Sequence, residues 1–234
     1  MERRRAGTGQ ELRRQGPSKV SFTEDMRAAA GSSWEQALSH WFFRAVADDN
    51  VADNVFRRYL RVEYGFVDCA ARCLGYAVAK APSFTERRRL AMGLHGLVTD
   101  QQDYFMAAFQ RAGIPPDQRN AEPPNHQTRA LHDLFLAAAE REGYEEIQAC
   151  VLGAEWLYLT WCSRAHQTPS RRPVIADWVA LHAGGAFAEH VAWVRAELDA
   201  RGPGLSPERQ VRIGQLFKAT LVAEMSFHDR AHGG

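Results

Sequence analysis

The sequence predicts an all-α, single-domain helical bundle, and three observations carry that expectation. From Phe22 onward every strong apolar segment steps by three and four residues, the period of a helix with one buried face. No apolar/polar alternation of strand period survives between the turn signals. Those signals, Pro82, Gly143 and the Ser206-Pro207 pair, stand where helices should stop or start. With 234 residues, 45% of them hydrophobic and 24% charged, the chain has ordinary globular composition and is long enough to bury a core.

The elements follow in order. Residues 1–21 crowd Arg3, Arg4, Arg5, Arg13, Arg14 and Lys19 into a stretch with almost nothing to bury, which predicts a disordered basic arm. Glu2 and Glu11 argue against reading that arm as a transit peptide. Residues 22–234 form the helical domain. From Val55 to Lys80, Phe56, Tyr59, Leu60, Tyr64, Val67, Ala71, Leu74 and Val78 mark one helix, which Pro82 ends. Ser83 and Glu86 have capping-box spacing for the next helix, expected to run unbroken to about Gly113. Pro115, Pro116, Pro123 and Pro124 mark the longest loop. Helices are expected from Thr128 to Gly143 and from Tyr144 to Ala165, then a linker over 168–173 and one long helix from Val174 to just before Gly202. Ser206 and Pro207 read as N-cap and N1 of the last helix, reaching about Ala231.

Composition also excludes function classes. A formal net charge of +1 provides no field for a nucleic-acid partner. The longest apolar runs are too short and too interrupted to span a membrane. No apolar stretch of signal-peptide type lies near the N-terminus, so a cytoplasmic location is expected. Cys69, Cys73, Cys150 and Cys162 form neither a C-x-x-C pair nor a zinc spacing and read as buried reduced thiols.

Carboxylates that interrupt apolar stripes are the functional clues. Glu63 lies on the apolar arc between Tyr59 and Tyr64/Val67, where it either reaches solvent at the stripe's edge or is paired for a purpose. Glu155 interrupts an apolar and aromatic helix and shares a face with Tyr158. It is either a structural carboxylate held by an Arg or Tyr, or a group whose burial poises it for proton transfer. Glu224 interrupts the last helix, with His228 at i+4 as a simple helical partner. His182, among Trp178, Leu181 and Phe187, is either a hydrogen-bonded core histidine or a ligand. With Phe66 and Tyr158 on facing positions, the three carboxylates suggest a closed pocket for a flat, nitrogen-rich ligand, ring faces stacking on it and carboxylates accepting N–H bonds.

These residues also carry a resemblance. The run Ser33-Trp34-Glu35 with His40, Phe42 and Asp49 resembles the opening helix of the TenA/thiaminase-II family. Tyr59-Leu60 with Glu63-Tyr64 and Phe66-Val67-Asp68 resembles its next helix, Trp156 and Tyr158 its W-x-Y, Trp178 to Phe187 its penultimate helix, and Phe217, Glu224 and Phe227 its closing one. The ordered set spans about Ser32 to Ala231.

The resemblance implies a heme-oxygenase-like fold and hydrolysis of aminopyrimidines related to the thiamin pyrimidine. That means deamination of the aminomethyl form or deformylation of its N-formyl form, in thiamin salvage. It implies Glu63 as ring anchor, Phe66 as stacking ring, Glu224 as proton donor, and Tyr64, Phe42, Tyr158 and His182 around the substrate. It also implies no cofactor, no metal, and a homo-oligomer, tetramer or dimer; the Trp41-Phe42-Phe43 cluster serves that interface or ordinary core packing. The family's nucleophilic cysteine aligns with Ala154, which cannot attack, and Cys150 lies about 6 Å away along the axis. The chain therefore resembles the branch that lacks the cysteine and carries glutamate, with Glu155 as general base toward water.

Two other readings compete. A metal-dependent oxidase on the same fold would use Glu63, Glu155, His182, Glu224 and His228, yet Glu155 has Tyr158, not histidine, at i+3. A non-catalytic protein binding a small heteroaromatic ligand would have kept the pocket and lost turnover with the cysteine.

Overall fold

The computed structural model describes residues 21–119 and 125–232. Among them the regular elements are helices: α1 (Phe22–Ala29), α2 (Ser32–Leu38), α3 (Trp41–Ala47), α4 (Asp53–Lys80), α5 (Phe84–Val98), α6 (Asp100–Arg111), α7 (His126–Arg141), α8 (Tyr144–Ala165), α9 (Pro173–Ala183), α10 (Gly185–Arg201) and α11 (Pro207–His232), with short 3-10 turns at Pro116–Gln118 and Gly202–Gly204. Ser21 opens the first of them, its hydroxyl accepting from the Glu24 N–H. The rest of the predicted basic arm, and Pro123 and Pro124 of the predicted loop, lie outside the described residues.

Two helices expected to be continuous are each broken. The segment expected from Ser83 to Gly113 is α5 and α6, interrupted at Thr99. Its backbone is distorted from ideal helical angles (φ −117°, ψ −79°) and its hydroxyl donates to the His95 carbonyl at 2.7 Å. A threonine that bonds back to the preceding turn bends or ends a helix, and Asp100 and Asp103 then suit the positive end of a new one. The segment expected from Val174 to Gly202 is α9 and α10, separated by Gly184 in extended backbone. Two adjacent glycines weaken a helix there, and apolar spacing alone runs across them. The expected capping box also differs. Ser83 Oγ accepts from the Thr85 N–H at 3.1 Å and hydrogen-bonds the Glu86 side chain, whereas the reciprocal box forms at Asn125 and Thr128.

Helix α8 is buried almost all round and packs on α7, α9, α10 and α11. Its crossing with α11 is close because Gly153 has no side chain. A Cβ there would lie 2.8 Å from Thr220 Cβ and 3.1 Å from the Phe217 carbonyl oxygen. One core cluster gathers Trp34, Phe42, Tyr59, Trp178 and Phe217; a second gathers Leu131, Phe135, Ile147, Val151 and Phe227. Phe42 and Phe43 belong to the first cluster, and half-buried Trp41 donates its indole N–H to Asp229 at 2.8 Å. The four cysteines are free and buried. Among the described residues no helix is long and apolar enough to cross a membrane.

Candidate active site

A cavity of about 350 Å³ lies where α4 to α11 converge, within the usual range for small-molecule sites. The second core cluster supplies its apolar wall through Leu74, Leu131, Phe135, Val151 and Phe227. Gly93 and Gly96 on α5, with Ala70, Ala154 and Ala186, leave the space open.

One pole holds Glu63, Tyr158 and Glu224, from α4, α8 and α11, beside the ring of Phe66. Tyr158 Oη lies 3.1 Å from Glu63 Oε2, 2.9 Å from His228 Nε2 and 3.2 Å from Tyr59 Oη. The protons here can be counted. His228 Nδ1 is 2.7 Å from the Glu224 carbonyl, which can only accept, so Nδ1 carries the hydrogen. Burial pushes this histidine down to about 3, so the ring is neutral and Nε2 presents a lone pair. Tyr158 has one hydrogen for two acceptors, Nε2 and Glu63. When it donates to His228, Glu63 keeps its bond to Tyr158 by holding a proton of its own. The electrostatics agree: burial lifts Glu63 to about 7, with the Tyr59 and Tyr158 hydroxyls pulling it back.

Glu224 is the unusual member. Its side chain is 3% exposed and lines the cavity, and its Oε2 accepts no hydrogen bond among the described residues: it lies 3.6 Å from Nδ1 of His228, the i+4 neighbour, whose hydrogen goes to the Glu224 carbonyl. Burial first, and the charge of Glu63 second, push its pKa well up. Burial of that kind favours the protonated form of the carboxyl, the form that has a proton to give.

The other pole holds Glu155 and His190, from α8 and α10. Glu155 Oε2 is 3.1 Å from His190 Nε2, an ion-pair distance, though off the line of a hydrogen bond. The Glu155 charge raises the His190 pKa. Asp100 and Gln101 line the cavity as well, and no Lys or Arg does among the described residues. His182 sits between the poles. Its Nδ1 lies 2.9 Å from the Trp178 carbonyl, and burial lowers it to about 4, so its Nε2 is an acceptor at neutral pH.

Six of the eight residues singled out from the sequence thus meet at one cavity: Glu63, Phe66, Glu155, Tyr158, His182 and Glu224. Tyr64 and Phe42 do not. Consecutive residues on a helix diverge by about 100°, so with Glu63 facing the cavity Tyr64 turns to α6, where Gln102 donates to its hydroxyl at 3.0 Å and its ring packs on Phe105 and Phe109. Phe42 is fully buried behind the site, 4.5 Å from the Tyr59 ring and 5.2 Å from His228.

Sequence reasoning gives Tyr59 no site role, placing it in the apolar stripe and in the run that carries the resemblance, and does not single out His190, Asp100 or Gln101. The Gly93/Gly96 pair on α5 is the one local sign of a wall there, since glycines a turn apart leave a helix face bare. Leu131 and Phe135 are the α7 residues that line the cavity. Ala154 lines the cavity and no cysteine does among the described residues; Cys150 is buried in the second core cluster with its thiol pushed up to about 12. No group of three or more His, Cys, Asp or Glu among the described residues is placed to hold a metal ion.

The sequence model described as the TENA/THI-4/PQQC family matches residues 27–233. The aminopyrimidine aminohydrolase of Bacillus subtilis (strain 168) is 19% identical over 213 residues, covering 91% of this chain and 90% of that protein. The solved structure of a TenA homologue from P. horikoshii OT3 superposes with a TM-score of 0.83 at 17% identity, covering 92% of this chain and 100% of the other. A domain with a heme oxygenase-like fold from Shewanella denitrificans OS217 superposes with a TM-score of 0.70 at 13% identity, covering 92% and 93%. The bundle is therefore the all-helical, heme oxygenase-like fold.

Proposed function

This chain belongs to the TENA/THI-4/PQQC family, and from that premise we propose that its cavity is the active site of a hydrolase acting on aminopyrimidine fragments of thiamin. The observation that carries the reading is Glu224: a buried carboxyl with an oxygen that accepts no hydrogen bond among the described residues, lining a ligand-sized cavity at the same pole as Glu63 and Tyr158. An unsatisfied buried polar atom costs about 1–3 kcal/mol, and a nitrogen-rich ligand would satisfy it. Four lining carboxylates without a lining Lys or Arg among the described residues favour the same ligand class.

In the proposed reaction Phe66 stacks on the pyrimidine and Glu63 anchors its nitrogens. Glu63 sits near its midpoint at neutral pH, so it can either donate to a ring nitrogen or accept from an exocyclic amine. Glu155 takes a proton from water, the water oxygen bonds to the carbon bearing the scissile nitrogen, the C–N bond breaks, and Glu224 gives its proton to the leaving amine. The bond cleaved is that of the aminomethyl substituent or of its N-formyl derivative. With Ala154 beside Glu155, the route is non-covalent and the chain groups with members lacking the nucleophilic cysteine. By the family resemblance the same reading includes a cytoplasmic homo-oligomer, tetramer or dimer, which light scattering would size.

The test is incubation with aminomethyl- and formylaminomethyl-pyrimidine, following hydroxymethyl-pyrimidine or free aminomethyl-pyrimidine. Turnover that is lost in Glu155→Gln and Glu224→Gln and kept in Cys150→Ala supports the reading. Ligand-induced stabilisation without turnover would replace it with a binding protein.

A further inference from the structure

The Glu155–His190 pair stands apart from the Glu63–Tyr158–His228 network, between α8 and α10, with His190 facing α5. We propose that His190 is a positioning residue for Glu155, fixing the carboxylate that activates water; this rests on the hydrolase reading above. Three observations converge. The two side chains approach to 3.1 Å from different helices and both line the cavity. The His190 and Glu155 side chains are 20% and 25% exposed, buried enough for the attraction to escape full solvent screening and open enough for Glu155 to meet a water in the cavity. Glu155 Oε2 also accepts no hydrogen bond among the described residues, so without His190 this oxygen is unanchored.

The surroundings fit that role. Across the cavity wall from His190 stands Gly93, whose missing side chain leaves the imidazole room, with 3.9 Å from His190 Cε1 to where a Cβ would be. Trp193, one turn on along α10, tilts against the ring at 5.9 Å. Arg89 of α5 opposes protonation of His190, but its guanidinium is engaged by the Glu189 carbonyl at 3.2 Å and the Trp193 face. From α8 comes Glu155, whose charge outweighs both Arg89 and burial, so His190 stays cationic to a higher pH than a free histidine. His182, the other imidazole near Glu155, is neutral and already committed to Trp178.

A pair of this kind acts on turnover more than on binding, because the ring anchors lie at the other pole. His190→Phe is expected to lower kcat by about 100-fold, the scale of a displaced catalytic base, with KM within about twofold. His190→Gln, which keeps an N–H donor, should recover most of the loss. Independently of turnover, the His190 Hε1 proton titrated by NMR should have a lower midpoint in Glu155→Gln than in the wild type.

An unchanged kcat in His190→Phe, or a loss confined to KM, overturns the inference while wild-type turnover leaves the hydrolase reading standing. Should His190→Phe fail to fold, His190→Gln and the NMR midpoint decide, and an unshifted midpoint refutes the pair. A wild type without turnover refutes the hydrolase reading and the positioning role together.

Discussion

Gly153→Ala tests the packing that brings Glu155 and Glu224 to one cavity. At an exposed helical position the exchange would stabilise by about 1 kcal/mol, because alanine is the better helix former. At Gly153 the new methyl would lie 2.8 Å from Thr220 Cβ, 3.0 Å from its Cγ2 and 3.1 Å from the Phe217 carbonyl oxygen. The Cβ and the carbonyl oxygen cannot rotate away, so α8 and α11 must separate. Overpacking of this kind costs about 1–3 kcal/mol, and with backbone involved the upper half applies, for a net loss of about 1–2 kcal/mol. In a chain of this size that lowers Tm by roughly 2–8 °C. Trimming the partner with Thr220→Ala should not rescue it, since Cβ and the carbonyl remain. Gly214 on α11 is the control: nothing lies within 4 Å of where its Cβ would stand, so Gly214→Ala should raise Tm by about 1–4 °C. Thermal unfolding of both variants is the assay. A Gly153→Ala protein as stable as Gly214→Ala would refute the close crossing, and with it the packing argument for the cavity.

Three further outcomes are expected. Glu63, at about 7 against an ordinary 4.5, holds a proton in the folded chain that the unfolded chain has released, so its contribution to stability falls as pH rises from 4.5 to about 7. Melting curves across that window should show Glu63→Gln gaining on the wild type, and a gap that moves the other way contradicts the assignment. Tyr158→Phe removes the hydroxyl shared by Glu63, Tyr59 and His228, and urea unfolding should show a loss of about 1–3 kcal/mol. Gly96→Leu projects a side chain into the cavity, where the nearest atom to a Cβ is Asp100 Oδ2 at 3.9 Å; calorimetry should find pyrimidine binding abolished with Tm unchanged or raised, and retained binding would place the ligand elsewhere.

What was legible in the sequence follows from where the signal is local. The α4 stripe through Phe56, Tyr59, Leu60 and Val67, the stop at Pro82 and the start at Ser206-Pro207 were readable because periodicity and capping act over one or two turns. The breaks at Thr99 and Gly184 were not, because apolar spacing continues across them. The identity of the interrupting carboxylates was equally plain, since a Glu among apolar neighbours is anomalous on any helix. Which way each points was less so: Tyr64 shares α4 with Glu63 but faces α6, and Phe42 on α3 lies in the inner core.

The sequence by itself determined that this chain forms an all-helical bundle with Glu63, Glu155 and Glu224 on three helices where apolar residues were expected. Only the tertiary structure decided that these three share a cavity, that Tyr158 links Glu63 to His228, and that Glu155 faces His190 across helices. The reason is geometric. Helical period specifies a direction around one axis, whereas the distance between residues 95 positions apart, as with Glu63 and Tyr158, depends on how helices cross, and here on a glycine that lets α8 and α11 meet.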